Sequence, residues 1–306
     1  MKPWAVPITP SAPATLTGIG SVPGTRVMDW VGRIADQLPE FPHVPELPER
    51  GPGADMIGRT LGLLSEVAPD FSAATTVTGW ELTSSGRDMR RARALLGEDL
   101  DAVEQAWQGH TGAAKQQLAG PYTIAASVER KGRRLLADSG IVRDLVVAWQ
   151  EMVALHRAEL ARRVPADWVL QMDEPSLPAV VAGSVRTISG MSAYPPLEPE
   201  VDLGADLLHC CAADVPLSRL RGIGGLLFDL SLHDQGVDDD LAELSTAGTV
   251  LGFGVSPVPG SVRSVLDFFD RTGLHPAPML VTPPCGMVAD YRPWRPLIDD
   301  LNERLS

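Results

Sequence analysis

Cysteine is scarce in this chain, with three in 306 residues. Three thiols do not make a disulfide framework, and an odd count leaves at least one over. The expected setting is a reducing, cytoplasmic one, where a cysteine near a histidine reads as a metal ligand or catalytic group before it reads as a bridge. Positive charge is also in short supply. Lys and Arg number 26 against 39 Asp and Glu, giving a formal net charge of −13. A nucleic-acid partner is therefore not expected, because phosphate binding needs clustered cations. The one basic cluster, Arg87 to Arg93, is followed by Glu98, Asp99 and Asp101 and reads as a solvated helix face. No run reaches about 18 apolar residues, so no membrane span is expected. A basic region leading into an apolar signal core is likewise missing from the N-terminus. There is no short fixed repeat and no low-complexity tract.

What the chain has is apolar bulk, 44% of its residues, enough for a large core. One domain over residues 1–306 is expected, since a β/α barrel of about 250 residues or more is routinely a single unit. Eight short β-like runs occur, at 14–20, 75–80, 115–119, 168–172, 205–210, 225–230, 249–255 and 278–282. Helical spacing of apolar residues marks 88–107, 130–164 and 262–272. Strands alternating with helices imply a parallel sheet, and eight such units imply an α/β fold of the TIM-type (β/α)8 barrel class. An open doubly wound sheet is the other architecture. It would usually bring a Gly-rich phosphate turn after its first strand, which Gly18–Gly24 matches only in part. Prolines crowd 38–53, and 188–199 is similarly irregular. Both read as long loops, either lids over a site or ordered surface coil.

The three cysteines lie at the ends of apolar runs. Cys210 and Cys211 follow Leu207-Leu208-His209, and Cys285 follows the run ending at Thr282. Residues two apart on a strand share a face, so His209 and Cys211 can reach one ion while Cys210 points elsewhere. Asp229 ends the run between them. If these runs are neighbouring parallel strands, His209, Cys211, Asp229 and Cys285 surround one point, and imidazole, two thiolates and a carboxylate suit zinc. The plainer reading is that the paired cysteines are buried small hydrophobes. Asp173 and Glu174 end another run, where a carboxylate can bind an ammonium group or act as a base. Glu81 has the same placement. Either acid can equally be a solvated turn residue. Ile19, Gly20 and Ser21 follow the first run, where small residues let backbone N–H groups approach an anion, or simply make a tight turn. His110, His156 and His275 have no assignable partner, and Trp30 and Trp107 read as core.

In order along nearly the whole chain, these residues resemble the catalytic C-terminal barrel of cobalamin-independent methionine synthase. Ile19-Gly20-Ser21-Val22-Pro23 is similar to that family's Ile-Gly-Ser-Phe-Pro turn. Gly120-Pro121-Tyr122-Thr123-Ile124 is similar to its Gly-Pro-Val-Thr-Ile segment, and Gln171 to Leu177 to Gln-Ile-Asp-Glu-Pro-Ala-Leu. His209-Cys210-Cys211 and Pro284-Cys285-Gly286 resemble its zinc-binding elements. The resemblance implies a zinc-dependent methyltransferase that methylates the thiol of homocysteine to give methionine. It implies zinc on His209, Cys211 and Cys285, with Asp229 where the family has a glutamate ligand. It implies that Ile19, Gly20 and Ser21 hold the substrate carboxylate and Asp173 its ammonium, with Glu81 nearby as the second catalytic acid.

Two departures bear on the methyl donor. A chain of this length accommodates a single barrel, so the short form without the folate-binding N-terminal barrel is expected. The family's Tyr-Asp-Ile-His segment, with its proton-donating histidine, is replaced by Gly252-Phe253-Gly254-Val255-Ser256-Pro257. A methylated corrinoid protein, whose cobalt leaves without a proton, therefore becomes the expected partner in place of methyltetrahydrofolate. The alternatives are the same chemistry on another thiol, or a non-catalytic zinc- or thiol-binding relative.

Overall fold

The computed structural model describes residues 12–233, 235–274 and 278–305. In chain order its strands are β1 (Ala14–Leu16), β2 (Ala73–Thr76), β3 (Gly79–Leu82), β4 (Ala113–Ala119), β5 (Val128–Arg130), β6 (Arg133–Arg134), β7 (Asp167–Asp173), β8 (Leu207–Cys210), β9 (Gly225–Asp229), β10 (Val250–Gly254) and β11 (Met279–Thr282). Seven of them make one curled, all-parallel sheet in the order β1-β11-β10-β9-β8-β7-β4. Helices pack around it: α1 (Met28–Gln37), α2 (Met56–Val67), α3 (Arg87–Ala106), α4 (Pro121–Ser127), α5 (Ser139–Arg163), α6 (Leu177–Val181), α7 (Asp238–Thr246), α8 (Ser261–Thr272) and α9 (Arg295–Leu305). The protein is thus an α/β protein with a parallel sheet. No helix among the described residues is long and apolar enough to cross a membrane.

Sheet pleating sorts the side chains into two layers. On β7, Trp168, Leu170 and Met172 join the large core under the helices. Val169 faces the other way and meets Leu207, Leu227, Leu280, Ile19 and Phe41 in a small inner cluster. Both faces of the strand are buried, as parallel sheets require. Space inside is tight. A Cβ on Gly252 would come within 2.1 Å of Leu227 Cδ2, so β10 carries a glycine where it passes this leucine.

Seven of the eight runs expected as barrel strands lie in this sheet; the run at 75–80 does not. Its β-branched residues do form strand, but Val77 and Thr78 turn the chain, and β2 and β3 pair antiparallel in a separate four-stranded sheet with β5 and β6. The helix expected from 130 begins only at Ser139. Lys131 and Gly132 have φ of 51° and 72°, the left-handed backbone of a tight hairpin turn, and they fold 128–134 into β5 and β6. Asp138 then caps α5, accepting from Gly140 N at 2.9 Å.

The proline-rich stretch 38–53 is largely coil, yet residues 42–46 lie against both edges of the main sheet. Glu46 N donates to Gly20 O and Val22 N to Glu46 O on the β1 side, while Val44 N donates to Lys115 O and Lys115 N to Pro42 O on the β4 side. Pro42 and Pro45 have no N–H, so a continuous ladder does not form and single bridges take its place. Residues 188–199 are coil without strand or helix.

Candidate metal centre and cavity

Three of the sequence-selected side chains meet at the C-terminal end of the sheet. His209 is in β8, Cys211 follows it directly, and Cys285 sits three residues beyond β11. Their ligand atoms all lie within 4.8 Å of one another. Strand alternation sends Cys210 the other way into the large core, where burial pushes its thiol up to about 12. The Cys211 and Cys285 thiols interact directly, and that interaction lowers the Cys211 thiol and raises that of Cys285.

The histidine is oriented from behind. His209 Nδ1 is 2.8 Å from Asp173 Oδ1, both residues being buried. An imidazole held at Nδ1 by a carboxylate presents Nε2, which is how metal-ligating histidines are usually supported. Two thiols and an imidazole at this spacing, with a second-layer carboxylate in place, fit a zinc ion by donor type and by support.

Asp229 does not join the group. Its Oδ1 accepts from Ser231 N at 2.9 Å and Ser231 Oγ at 2.6 Å, capping the short 310 turn at 230–232. An acid ending a strand can serve equally well as the cap of the next turn, and here it does. Glu81 lies in β3, paired with Ala74 and Glu129 in the small sheet, and does not line the cavity. His110 bonds Ala113 O, His156 is buried with its charge disfavoured, and Trp30 and Trp107 are core. His275 lies outside the described residues.

His209, Cys211 and Cys285 border a cavity of about 190 Å3 that is also lined by Ile19, Gly20, Ser21, Glu46, Gln117 and Asp173. At about 30 Å3 per water this is the volume of roughly six waters, room for a small metabolite. Gly20 has φ 152°, and a Cβ there would come within 2.5 Å of the Gln117 amide, so the turn needs glycine. Neither Gly20 N–H nor Ser21 N–H donates a hydrogen bond among the described residues, which leaves two donors for an anion.

Glu46, like Gln117, is a cavity residue that sequence reasoning missed. It is 6% exposed, accepts from Ser21 Oγ at 2.9 Å and lies 3.7 Å from Arg59 Nη1. Burial pushes its carboxyl up to about 7 despite Arg59. Its only local signal is an acid between two prolines, Pro45-Glu46-Leu47-Pro48, which reads as coil. The raised value makes a pH prediction. Between the ordinary value near 4.5 and about 7, folded Glu46 keeps a proton that the unfolded chain has released, so its contribution to stability falls as pH rises through that window. Glu46→Gln removes this slope. Relative to wild type the variant should gain about 3 kcal/mol between pH 4.5 and 7.5, at ~1.4 kcal/mol for each tenfold difference in proton affinity between the folded and unfolded chain. Urea titrations across that range check it, and parallel profiles would refute the assignment.

An α/β protein whose curled parallel sheet carries a possible His/Cys/Cys metal group at its C-terminal end is the class that fold and site define. No family model matches the chain, and no curated protein does. Among solved structures it is similar to a crystal structure from Listeria monocytogenes, of a protein provisionally named vitamin-B12 independent methionine synthase. The TM-score is 0.51 at 14% identity, over 94% of this chain and 96% of that one. At that identity the likeness is one of fold.

Proposed function

We propose that the chain is a zinc-dependent methyltransferase of the cobalamin-independent methionine synthase type, acting on the thiol of homocysteine. The observation that carries this reading is the convergence of His209, Cys211 and Cys285 beside a small cavity bearing acids and free backbone donors. The fold reading goes with it. On the same proposal residues 42–46, bonded to both edges of the seven-stranded sheet, would serve as the second strand of a TIM-type (β/α)8 barrel. Glu46 then takes the strand-end position expected of Glu81.

In this reading Gly20 and Ser21 N–H bind the amino-acid carboxylate, and Asp173 with Glu46 faces the ammonium. His209, Cys211 and Cys285 hold the zinc. When bound, the ion supplies a Lewis acid that keeps the substrate sulfur deprotonated at neutral pH. Asp173 keeps the imidazole of His209 in register while the thiolate sulfur attacks the methyl carbon in line. The new S–C bond forms as the donor's bond to that carbon breaks, and the bonding electrons leave with the donor. Residues 252–257 offer no histidine, acid or lysine to protonate a leaving amine. A methylated corrinoid protein, whose cobalt keeps the electron pair, is accordingly the proposed donor, in a cytoplasmic setting.

Zinc-loaded protein should hold about one zinc per chain. Its X-ray absorption spectrum should gain a sulfur neighbour on addition of homocysteine, and stoichiometric methylcobalamin should yield methionine. An unchanged spectrum would end the homocysteine reading, and methylation of other thiols in a panel would redirect it to them.

A further inference from the structure

Beneath the cavity a lysine is completely buried. Lys115 is 0% exposed in the middle of β4, and none of its hydrogen bonds goes to a carboxylate among the described residues. Its Nζ donates to Gln171 Oε1 at 2.6 Å and to Ile19 O at 3.1 Å. The Gln171 amide continues the chain from its other end, with Nε2 donating to Asp173 Oδ1 at 2.6 Å and to the same Ile19 O at 3.1 Å. Asp173 Oδ1 in turn faces His209 Nδ1 at 2.8 Å. The amide cannot be reversed without setting its NH2 against the ammonium and its oxygen against Asp173, so the direction of the chain is determined by chemistry.

We propose that Lys115 and Gln171 are positioning residues that align both halves of the site, the metal-facing imidazole and the anion-facing turn. The proposal rests on the reading of His209 as a metal ligand. Lys115 orients Gln171, Gln171 pins Asp173 Oδ1, and Asp173 holds the His209 Nδ1–H tautomer, leaving Nε2 for the ion. The same two residues anchor the Ile19 carbonyl. Because the peptide is planar and trans, a pinned Ile19 C=O aims the Gly20 N–H in the opposite direction. A buried ammonium is costly to keep without such work, since burial pushes Lys115 down to about 7.

The test compares Lys115→Met and Gln171→Met with Gln116→Met. Gln116 is a fully buried neighbour on β4 whose amide atoms have no partner among the described residues, so its loss disturbs the core without touching the chain of bonds. Zinc affinity by chelator competition should fall about 10- to 100-fold in the first two variants and stay within about twofold in the third. Ring 15N NMR of the metal-free proteins at alkaline pH should show one His209 tautomer in wild type and Gln116→Met, and a mixture in the other two. Should Lys115→Met not fold, Gln171→Met decides the matter alone. Unchanged affinity and tautomer in Gln171→Met would overturn the proposal, as would an equal loss in Gln116→Met. If wild type binds no zinc, the metal reading fails, and the tautomer measurement, which needs no metal, still decides whether this chain of bonds positions His209.

Discussion

Cys285→Ser is expected to lower zinc affinity about a thousandfold, some 4 kcal/mol, while leaving the metal-free protein as stable as before. A serine hydroxyl stays protonated at neutral pH and cannot supply the anionic ligand that a thiolate does. The site drops from three protein donors to two, His209 and Cys211. Cys285 is exposed, and a surface substitution of this kind changes stability by no more than about 0.5 kcal/mol. Chelator competition reads the first effect and thermal unfolding without metal reads the second. Cys210→Ser should behave in the opposite way. Cys210 is fully buried in the large core, so a hydroxyl there costs stability and leaves zinc binding intact. Wild-type zinc affinity in Cys285→Ser would refute the site.

Glu174→Ala should destabilise the fold by about 3–5 kcal/mol. Glu174 is fully buried, and its carboxylate accepts from Tyr122 N at 2.9 Å, Thr123 N at 2.8 Å and Thr123 Oγ1 at 2.7 Å. These bonds tie the end of β7 to the start of α4. The carboxylate also fills the space beside Gly120, where a Cβ would lie 2.1 Å from its Oε1. Truncation leaves three buried donors unpaired and a void next to them. Glu174→Gln should cost less, because its one remaining oxygen still accepts while its NH2 opposes a donor. Urea unfolding at fixed pH measures both. A loss below about 1 kcal/mol for the alanine would mean that water replaces the carboxylate and that the tie is dispensable. Glu174 also shows why adjacent acids differ in role. Asp173 shares the pleat face of Gln171 and reaches the cavity, and Glu174 packs away from it against α4.

Much of the parallel sheet was legible because its strands announce themselves locally. Leu207-Leu208, Gly225-Leu226-Leu227-Phe228 and Met279-Leu280-Val281 are short apolar runs, and burial on both faces demands such runs wherever they occur. The His-x-Cys spacing told which of the paired cysteines points toward the cavity, because side-chain direction on a strand has a period of two. Helix α3 followed from apolar spacing and helix-favouring residues, as did α8.

What stayed hidden depended on partners far away in the chain. Thr75 to Trp80 has strand-forming residues, but nothing in them says whether the partner is the main sheet or their own hairpin. Residues 42–46 look like coil because two prolines interrupt them, and what holds them between the sheet edges is bonding to distant residues, among them Gly20, Val22, Lys115 and Gln117. Glu46 enters the cavity on that segment and could not be found without it. Asp229 was a fair candidate by position, and a local cap with Ser231 took its oxygen instead.

The sequence by itself determined the α/β class, most of the strands of the parallel sheet, and which of the paired cysteines shares a face with His209, because each follows from short-range periodicity and residue type. Only the tertiary structure decided which acid faces the cavity, which one caps a turn, and that a lysine lies buried beneath the site, because those outcomes depend on which distant groups satisfy each polar atom once water is gone.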